Sequence, residues 1–208
     1  ESKTTSTFTI EDNSIPTIAN TASDLKVECD GAGNTAQLAA WLASNGGAVA
    51  SDACSNVTWT NDHNTLSDDC AETGSTTVVF TATDDCGNFS TTTATFTIED
   101  TTVPTIDTPA IALDLECDAA NQQLQIDAWL LNNGGATSSD VCSGTTIVWT
   151  HDYVAGTENT ACGATGSVLV TFTATDDCGL FITTSASINI VDTTAPTIDI
   201  AAANETVE

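Results

Sequence analysis

A run of alternating apolar and threonine residues that turns on an acidic, cysteine-bearing corner occurs twice in this chain. The copies are Val79-Phe80-Thr81-Ala82-Thr83-Asp84-Asp85-Cys86-Gly87 and Val170-Thr171-Phe172-Thr173-Ala174-Thr175-Asp176-Asp177-Cys178-Gly179. Each continues through Thr/Ser-rich residues to Pro-Thr-Ile, at 104–106 and 196–198. Period-two alternation on both sides of a turn is the pattern of a β-hairpin. A chain carrying two such hairpins must supply, twice, the elements that cover their apolar faces.

The duplication extends over most of the chain. Pro16-Thr17-Ile18, Pro104-Thr105-Ile106 and Pro196-Thr197-Ile198 lie 88 and then 92 residues apart. Glu28-Cys29-Asp30 matches Glu116-Cys117-Asp118, Trp41-Leu42 matches Trp129-Leu130, and Asp52-Ala53-Cys54 matches Asp140-Val141-Cys142. Trp59 matches Trp149, Cys70 matches Cys162, and Cys86 matches Cys178. Residues 1–10 resemble 89–98, and Glu208 falls on Glu116. The expected organisation is therefore 1–10 as the trailing strand of a preceding repeat, 11–98 as repeat 1, 99–190 as repeat 2, and 191–208 as the leading segment of a following repeat. Repeats of this size fit small β-sandwiches. The expected class is all-β: tandem immunoglobulin-like sandwiches, each with one short inserted helix.

The helix is expected where Leu38, Trp41 and Leu42 take i, i+3, i+4 spacing, with Asn34 and Gln37 resembling a capping box and Asn45-Gly46-Gly47 as the stop. Ile126, Trp129 and Leu130 repeat it before Asn133-Gly134-Gly135. These tryptophans read either as a sugar-binding platform or as core, with core favoured. The strands 57–60 and 147–150 each carry an inward tryptophan, as a sandwich core would.

Lys+Arg is 2 against Asp+Glu 29, a net charge of −27. That balance argues against nucleic acid and anionic membrane surfaces, where basic residues supply the attraction. No apolar run is long enough for membrane insertion. Eight cysteines, four per repeat and without a CxxC pair, point to disulfides in an oxidising, extracellular setting rather than to zinc. Four cysteines allow three pairings per repeat. Cys54 and Cys70 lie symmetrically about Asp62, as do Cys142 and Cys162 about Asp152, like the ends of a hairpin. The favoured pairing is Cys54–Cys70 and Cys142–Cys162, leaving Cys29–Cys86 and Cys117–Cys178.

Catalysis has no support: there is no phosphate loop, no nucleophile elbow, no arginine, and His63 and His151 do not keep equivalent places. The sharpest chemical expectation is Ca²⁺, which takes six to eight oxygen ligands. If the hairpin corner, the end of the strand at 25–29 and the entering connector share one end of the sandwich, the ligands are Glu11, Asp12, Glu28, Asp30, Asp84 and Asp85 in repeat 1. The counterparts in repeat 2 are Glu99, Asp100, Glu116, Asp118, Asp176 and Asp177. The competing reading of these acids is as solvated turn formers. Asn56, Asn88 and Asn204 begin N-linked sequons. Asp100-Thr101-Thr102 and Asp192-Thr193-Thr194 resemble an O-glycosylation signal of Bacteroidetes, with Thr101 and Thr193 as acceptors.

The signatures Ala82-Thr83-Asp84-Asp85-Cys86-Gly87-Asn88 and Asp192-Thr193-Thr194-Ala195-Pro196-Thr197 resemble the immunoglobulin-like, hyalin-repeat-like tandem modules of giant Bacteroidetes surface adhesins, including those of gliding motility. The resemblance covers both repeats and both ends, while the helix with its Asn-Gly-Gly stop departs from the ordinary hyalin repeat. It implies export, surface anchoring and a role as stalk, adhesin or fibre. The reading is a mechanical segment of a long extracellular cell-surface protein. Its expected partners are neighbouring repeats, identical chains in a fibre, and surface glycans. Two alternatives are a filament subunit completed by strand exchange and a carbohydrate-binding module of a secreted hydrolase.

Overall fold

The computed structural model describes residues 2–144, 146–157, 159–160 and 165–200. The chain forms two compact units. The first comprises Glu1–Pro104 together with Ser139–Ile147 and Asp176–Leu180; the second comprises Thr105–Ser138, Val148–Thr175 and Phe181–Glu208.

In the first unit the elements are β1 (Thr17–Asn20), β2 (Leu25–Glu28), α1 (Thr35–Ala43), β3 (Val49–Ser51), β4 (Val57–Asn61), β5 (Gly74–Asp84) and β6 (Phe89–Glu99). The hairpin expected from the sequence is β5–β6, paired from Gly74↔Ile98 to Thr83↔Phe89. It is the centre of a four-stranded sheet in the order β2-β6-β5-β4, while β1 and β3 form a separate two-stranded ribbon. Alternation puts Val78, Phe80 and Ala82 of β5 and Ala94, Phe96 and Ile98 of β6 inward. α1 closes this face: Leu38 and Trp41 join the same cluster, and Trp41 stands edge-on to Phe80 with centroids 5.2 Å apart. Its indole N–H donates to the Ser23 carbonyl at 3.1 Å, so the one polar atom of the ring is satisfied. Gly46, with φ +64, stops the helix; an added Cβ would lie 3.0 Å from Ala22 and 3.2 Å from Phe80.

The second unit repeats the plan with β7 (Thr105–Thr108), β8 (Leu113–Glu116), α2 (Gln122–Leu131), β9 (Thr137–Ser139), β10 (Val148–His151), β11 (Asn159–Thr160), β12 (Gly166–Thr175) and β13 (Phe181–Val191). Its sheet runs β10-β12-β13-β8, with β11 added on β12. Val170, Phe172 and Ile188 are fully buried, and Trp129 meets Phe172 edge-on at 5.1 Å. The chain is thus all-β, two immunoglobulin-like sandwiches in succession, each with one short helix.

Three expectations require correction. Residues 2–10 form no strand: Phe8 and Ile10 are 87% and 84% exposed. A strand exists through its neighbour, and no ladder partner for this segment occurs among the described residues. Asn34 is not a capping-box residue. It sits in the left-handed region, fully buried, without a side-chain cap bond. Its amide instead donates to the Glu28 carbonyl at 2.8 Å and its oxygen accepts from Asp30 N–H, fastening the end of β2 to the helix start. Gln122, one methylene longer, donates to the Glu116 carbonyl in the same way.

The third correction concerns the cysteines. β2 pairs with β6 in parallel, Glu28 opposite Glu99. The end of β2 therefore lies at the far end of the hairpin from its Asp84–Asn88 corner. Cys29 and Cys86 are at opposite ends of an 11-residue strand, roughly 35 Å at about 3.3 Å per residue. Cys54 precedes β4, whose first residue Val57 faces Asp84, whereas Cys70 is bonded to Thr73 beside the opposite end of β5. Cys54–Cys70 fails on the same distance. Cys117 follows β8, which runs parallel to the distal end of β13, away from the corner that holds Cys178. The bonds are instead Cys29–Cys142 and Cys70–Cys178, with Cα separations of 5.6 and 5.2 Å, normal for disulfides. Cys142–Cys162 is excluded because Cys142 is already bonded; Cys162 itself lies outside the described residues. Cys54, Cys86 and Cys117 are free thiols.

Candidate metal centre

Within the first unit, three aspartates from separate segments converge. Asp100 leaves β6, Asp140 opens the 139–147 loop, and Asp176 sits at the hairpin corner of the second repeat. Each spends one carboxylate oxygen on nearby backbone amides. Asp140 Oδ1 accepts from Cys142 and Ser143, both at 2.8 Å. Asp176 Oδ1 accepts from Cys178 and Leu180, both at 2.9 Å. Asp100 Oδ1 accepts from Thr102 at 3.1 Å. Amide bonds of this kind fix each carboxylate in place. One oxygen from each of the three lies within 4.8 Å of the others. Asp176 is 5% exposed, and Asp100 and Asp140 are half-buried. Asp100 Oδ2 and Asp176 Oδ2 are buried without a hydrogen-bond partner among the described residues. Burial pushes the Asp100 carboxyl above the ordinary range, and the charges of Asp140, Asp176 and Glu28 push the same way.

The first repeat holds a matching set: Asp12, Asp52 and the thiol of Cys54, with Asp84 in the place of Asp176. Asp84 is also 5% exposed, and its Oδ1 accepts from Cys86 and Asn88, both at 2.8 Å. Its other oxygen differs: Asn88 Nδ2 donates to Asp84 Oδ2 at 2.8 Å and reaches the Asp12 carbonyl at 3.1 Å. Burial acts to raise the Asp84 pKa, but the Asn88 side chain and the amides of Asn88, Cys86 and Gly87 outweigh it and hold the carboxyl low. Burial, together with the charges of Asp12, Asp84, Asp85 and Asp52, pushes the Cys86 thiol up.

Of the acids expected to be ligands, Asp12, Asp100 and Asp176 fall in these clusters, and Asp84 stands beside the first. Asp52 and Asp140 were missed, although Asp-x-Cys recurs in both repeats. The parallel course of β2 carries Glu28 and Asp30 to the other end of the sandwich from Asp84. There Glu28 accepts from the Thr101 amide at 2.9 Å and from the Thr101 and Thr102 hydroxyls at 2.9 and 2.7 Å. These bonds, the Thr101 amide first, hold its carboxyl below the usual range. Glu116 likewise accepts from the amide and hydroxyl of Thr193, and its pKa is lowered by the hydroxyl first. Thr101 and Thr193, the expected glycan acceptors, thus use their hydroxyls as donors to these glutamates. Asp30 accepts from Ala32 and Asn34, Asp177 from Thr146, and Asp85 from Asn56. Glu99 is paired with Lys26 at 3.0 Å. Glu11 and Asp118 are exposed. The sequon residue Asn204 lies outside the described residues.

No family model matches this chain, and no curated protein matches it. Among solved structures it is similar to Drosophila N-cadherin EC1-4, at 10% identity and a TM-score of 0.34 over 86% of this chain and 50% of that one. It is also similar to the human desmocollin-1 ectodomain, at 9% identity and 0.31 over 87% and 42%. The chain spans about half the length of the first of these and less of the second. Among the described residues no helix is long and apolar enough to cross a membrane.

Proposed function

We propose that this chain is a structural and adhesive segment of a long extracellular repeat protein, a cell-surface stalk or fibre of the giant Bacteroidetes adhesin type. The observation that carries this reading is the pair of disulfides. Both join a cysteine of the first sequence repeat to one of the second, at separations of 113 and 108 residues. Cross-links of that span resist unfolding and belong to oxidising surroundings. Two lysines in 208 residues leave little for trypsin-like proteases, which suits an exposed appendage. The repeat boundaries at 11–98 and 99–190 are part of the proposal, as is calcium as the stiffening ion. Its partners are the neighbouring repeats of its own array and the surfaces that the array meets.

The carbohydrate-binding alternative needs exposed, coplanar tryptophans. Trp41 is buried at 6% exposure, and Trp59, Trp129 and Trp149 are partly buried against the two cores, which favours the structural role. Immunogold imaging of intact source cells with an antibody to this chain tests the reading. Label along surface strings supports it, packed fibres favour the filament alternative, and label confined to the cell interior removes it.

A further inference from the structure

The two Asp-Asp-Cys-Gly corners are followed by different residues. Asn88 follows Cys86-Gly87, and Leu180 follows Cys178-Gly179. In the first repeat the Asn88 side-chain amide donates to Asp84 Oδ2 at 2.8 Å. In the second, leucine has no donor to offer. Asp176, 5% exposed, keeps Oδ2 without a partner, and Asp100 Oδ2 is left in the same condition; in the first repeat Asp12 Oδ2 is unpartnered too, but Asp84 Oδ2, on the most buried carboxylate there, is not. A buried carboxylate oxygen without a donor is costly and in native proteins is satisfied by a partner, a water or an ion. A side-chain cation is in short supply: the chain has only Lys3 and Lys26, and Lys26 is engaged by Glu99.

We propose that Asp100, Asp140 and Asp176 bind one divalent cation of the calcium class, and that the matching site in the first repeat is disabled because the Asn88 amide takes the place of the ion. The donor chemistry selects the metal. All three donors are carboxylate oxygens, and the nearby Cys142 sulfur is bound in a disulfide, so no thiolate or imidazole is offered. Hard oxygen donors suit Ca²⁺ rather than Zn²⁺ or copper. The ligands hang on the loops that carry Cys142 and Cys178, so an ion there also holds the two disulfide-bearing loops in place.

This inference rests on the calcium part of the reading above, and its test is independent of whether the chain forms a stalk. Calorimetric titration of the whole chain with calcium chloride, after exhaustive chelation, is expected to give one strong site per chain. Leu180→Asn supplies the missing amide and is expected to weaken that site at least tenfold; Asp176→Asn does the same by removing charge. Asn88→Leu frees Asp84 and is expected to add a second site. No heat of binding at millimolar calcium, two equal sites in the parent chain, or an affinity indifferent to Leu180→Asn would each overturn the proposal. Circular dichroism verifies folding. Should Leu180→Asn fail to fold, Asn88→Leu decides: a gained site supports the proposal, and unchanged stoichiometry defeats it.

Discussion

Removing the Cys29–Cys142 bridge with paired serine substitutions separates the observed connectivity from the one the sequence suggested. The bridge closes a loop of 113 residues. Loop-closure entropy values such a constraint at about 4.8 kcal/mol. The Cys70–Cys178 bridge, with its separation of 108 residues, comes to nearly the same figure alone. The two loops interleave in sequence, so the second bridge adds less than the first. With Cys70–Cys178 retained, Cys29–Cys142 closes a loop of about 77 residues, roughly 4.5 kcal/mol; at about 2–4 °C per kcal/mol for a domain of this size, its loss should lower the Tm by roughly 9–18 °C. The assay is thermal and urea unfolding of the parent chain, the Cys29→Ser plus Cys142→Ser variant, and Cys54→Ser, each with and without reductant. The double variant should lie far below the parent and respond less to reductant. Cys54→Ser should match the parent, because Cys54 is an exposed free thiol. Equal losses for Cys54→Ser and the double variant, or Cys54 recovered in a bridge to Cys70 by peptide mapping, would refute the reasoning.

Other perturbations follow from single features. Gly31→Ala should destabilise by about 2 kcal/mol or more in urea titrations, because φ is +70 and the new methyl meets the Val141 carbonyl. Asn34→Ala should cost about 2 kcal/mol by the same assay, since it leaves the Glu28 carbonyl and Asp30 amide without their buried partner. The Glu28 carboxyl titrates lower in the fold than its ordinary 4.5. Its contribution is therefore present in full above that value and is lost as pH falls through the lowered folded value. Melting curves of Glu28→Gln should accordingly show a smaller loss of Tm on acidification than those of the parent. Phe80→Ala, at a fully buried ring, should cost about 3–5 kcal/mol.

The repeats, the hairpins and the inward residues were legible because alternation and duplication are local signals. Val78, Phe80 and Phe96 are where period two puts them, and Trp41 is core. Direction was not legible. Nothing in Leu25–Glu28 tells whether that strand runs with or against β6, and that one sign decides at which end Cys29, Glu28 and Asp30 emerge. The pairing of Cys29 and Cys117 and a third of the expected ligand set, Glu28, Asp30, Glu116 and Asp118, depended on it. Symmetry about Asp62 also misled, because spacing in sequence stood in for distance along an 11-residue strand. Asp140 carried a visible signal, the Asp-x-Cys shared with Asp52. What the sequence lacked was the knowledge that Asp140 shares a corner with Asp100. The contrast of Asn88 with Leu180 was equally visible, but it acquired meaning only once Asp84 and Asp176 had been placed beside them.

The crossed bridges also set how far the chain can be drawn out under load. Between Cys29 and Cys178 the polypeptide has about 149 residues, roughly 500 Å of contour at about 3.4 Å each. With both disulfides intact, the shortest covalent route runs from Cys29 across to Cys142 and on to Cys178, about 36 residues or roughly 120 Å. A pull that tears both sheets apart therefore releases only about a quarter of the hidden length, and the remainder becomes available only when both bridges are cut, because either one alone still leaves a route of about 36 or 41 residues.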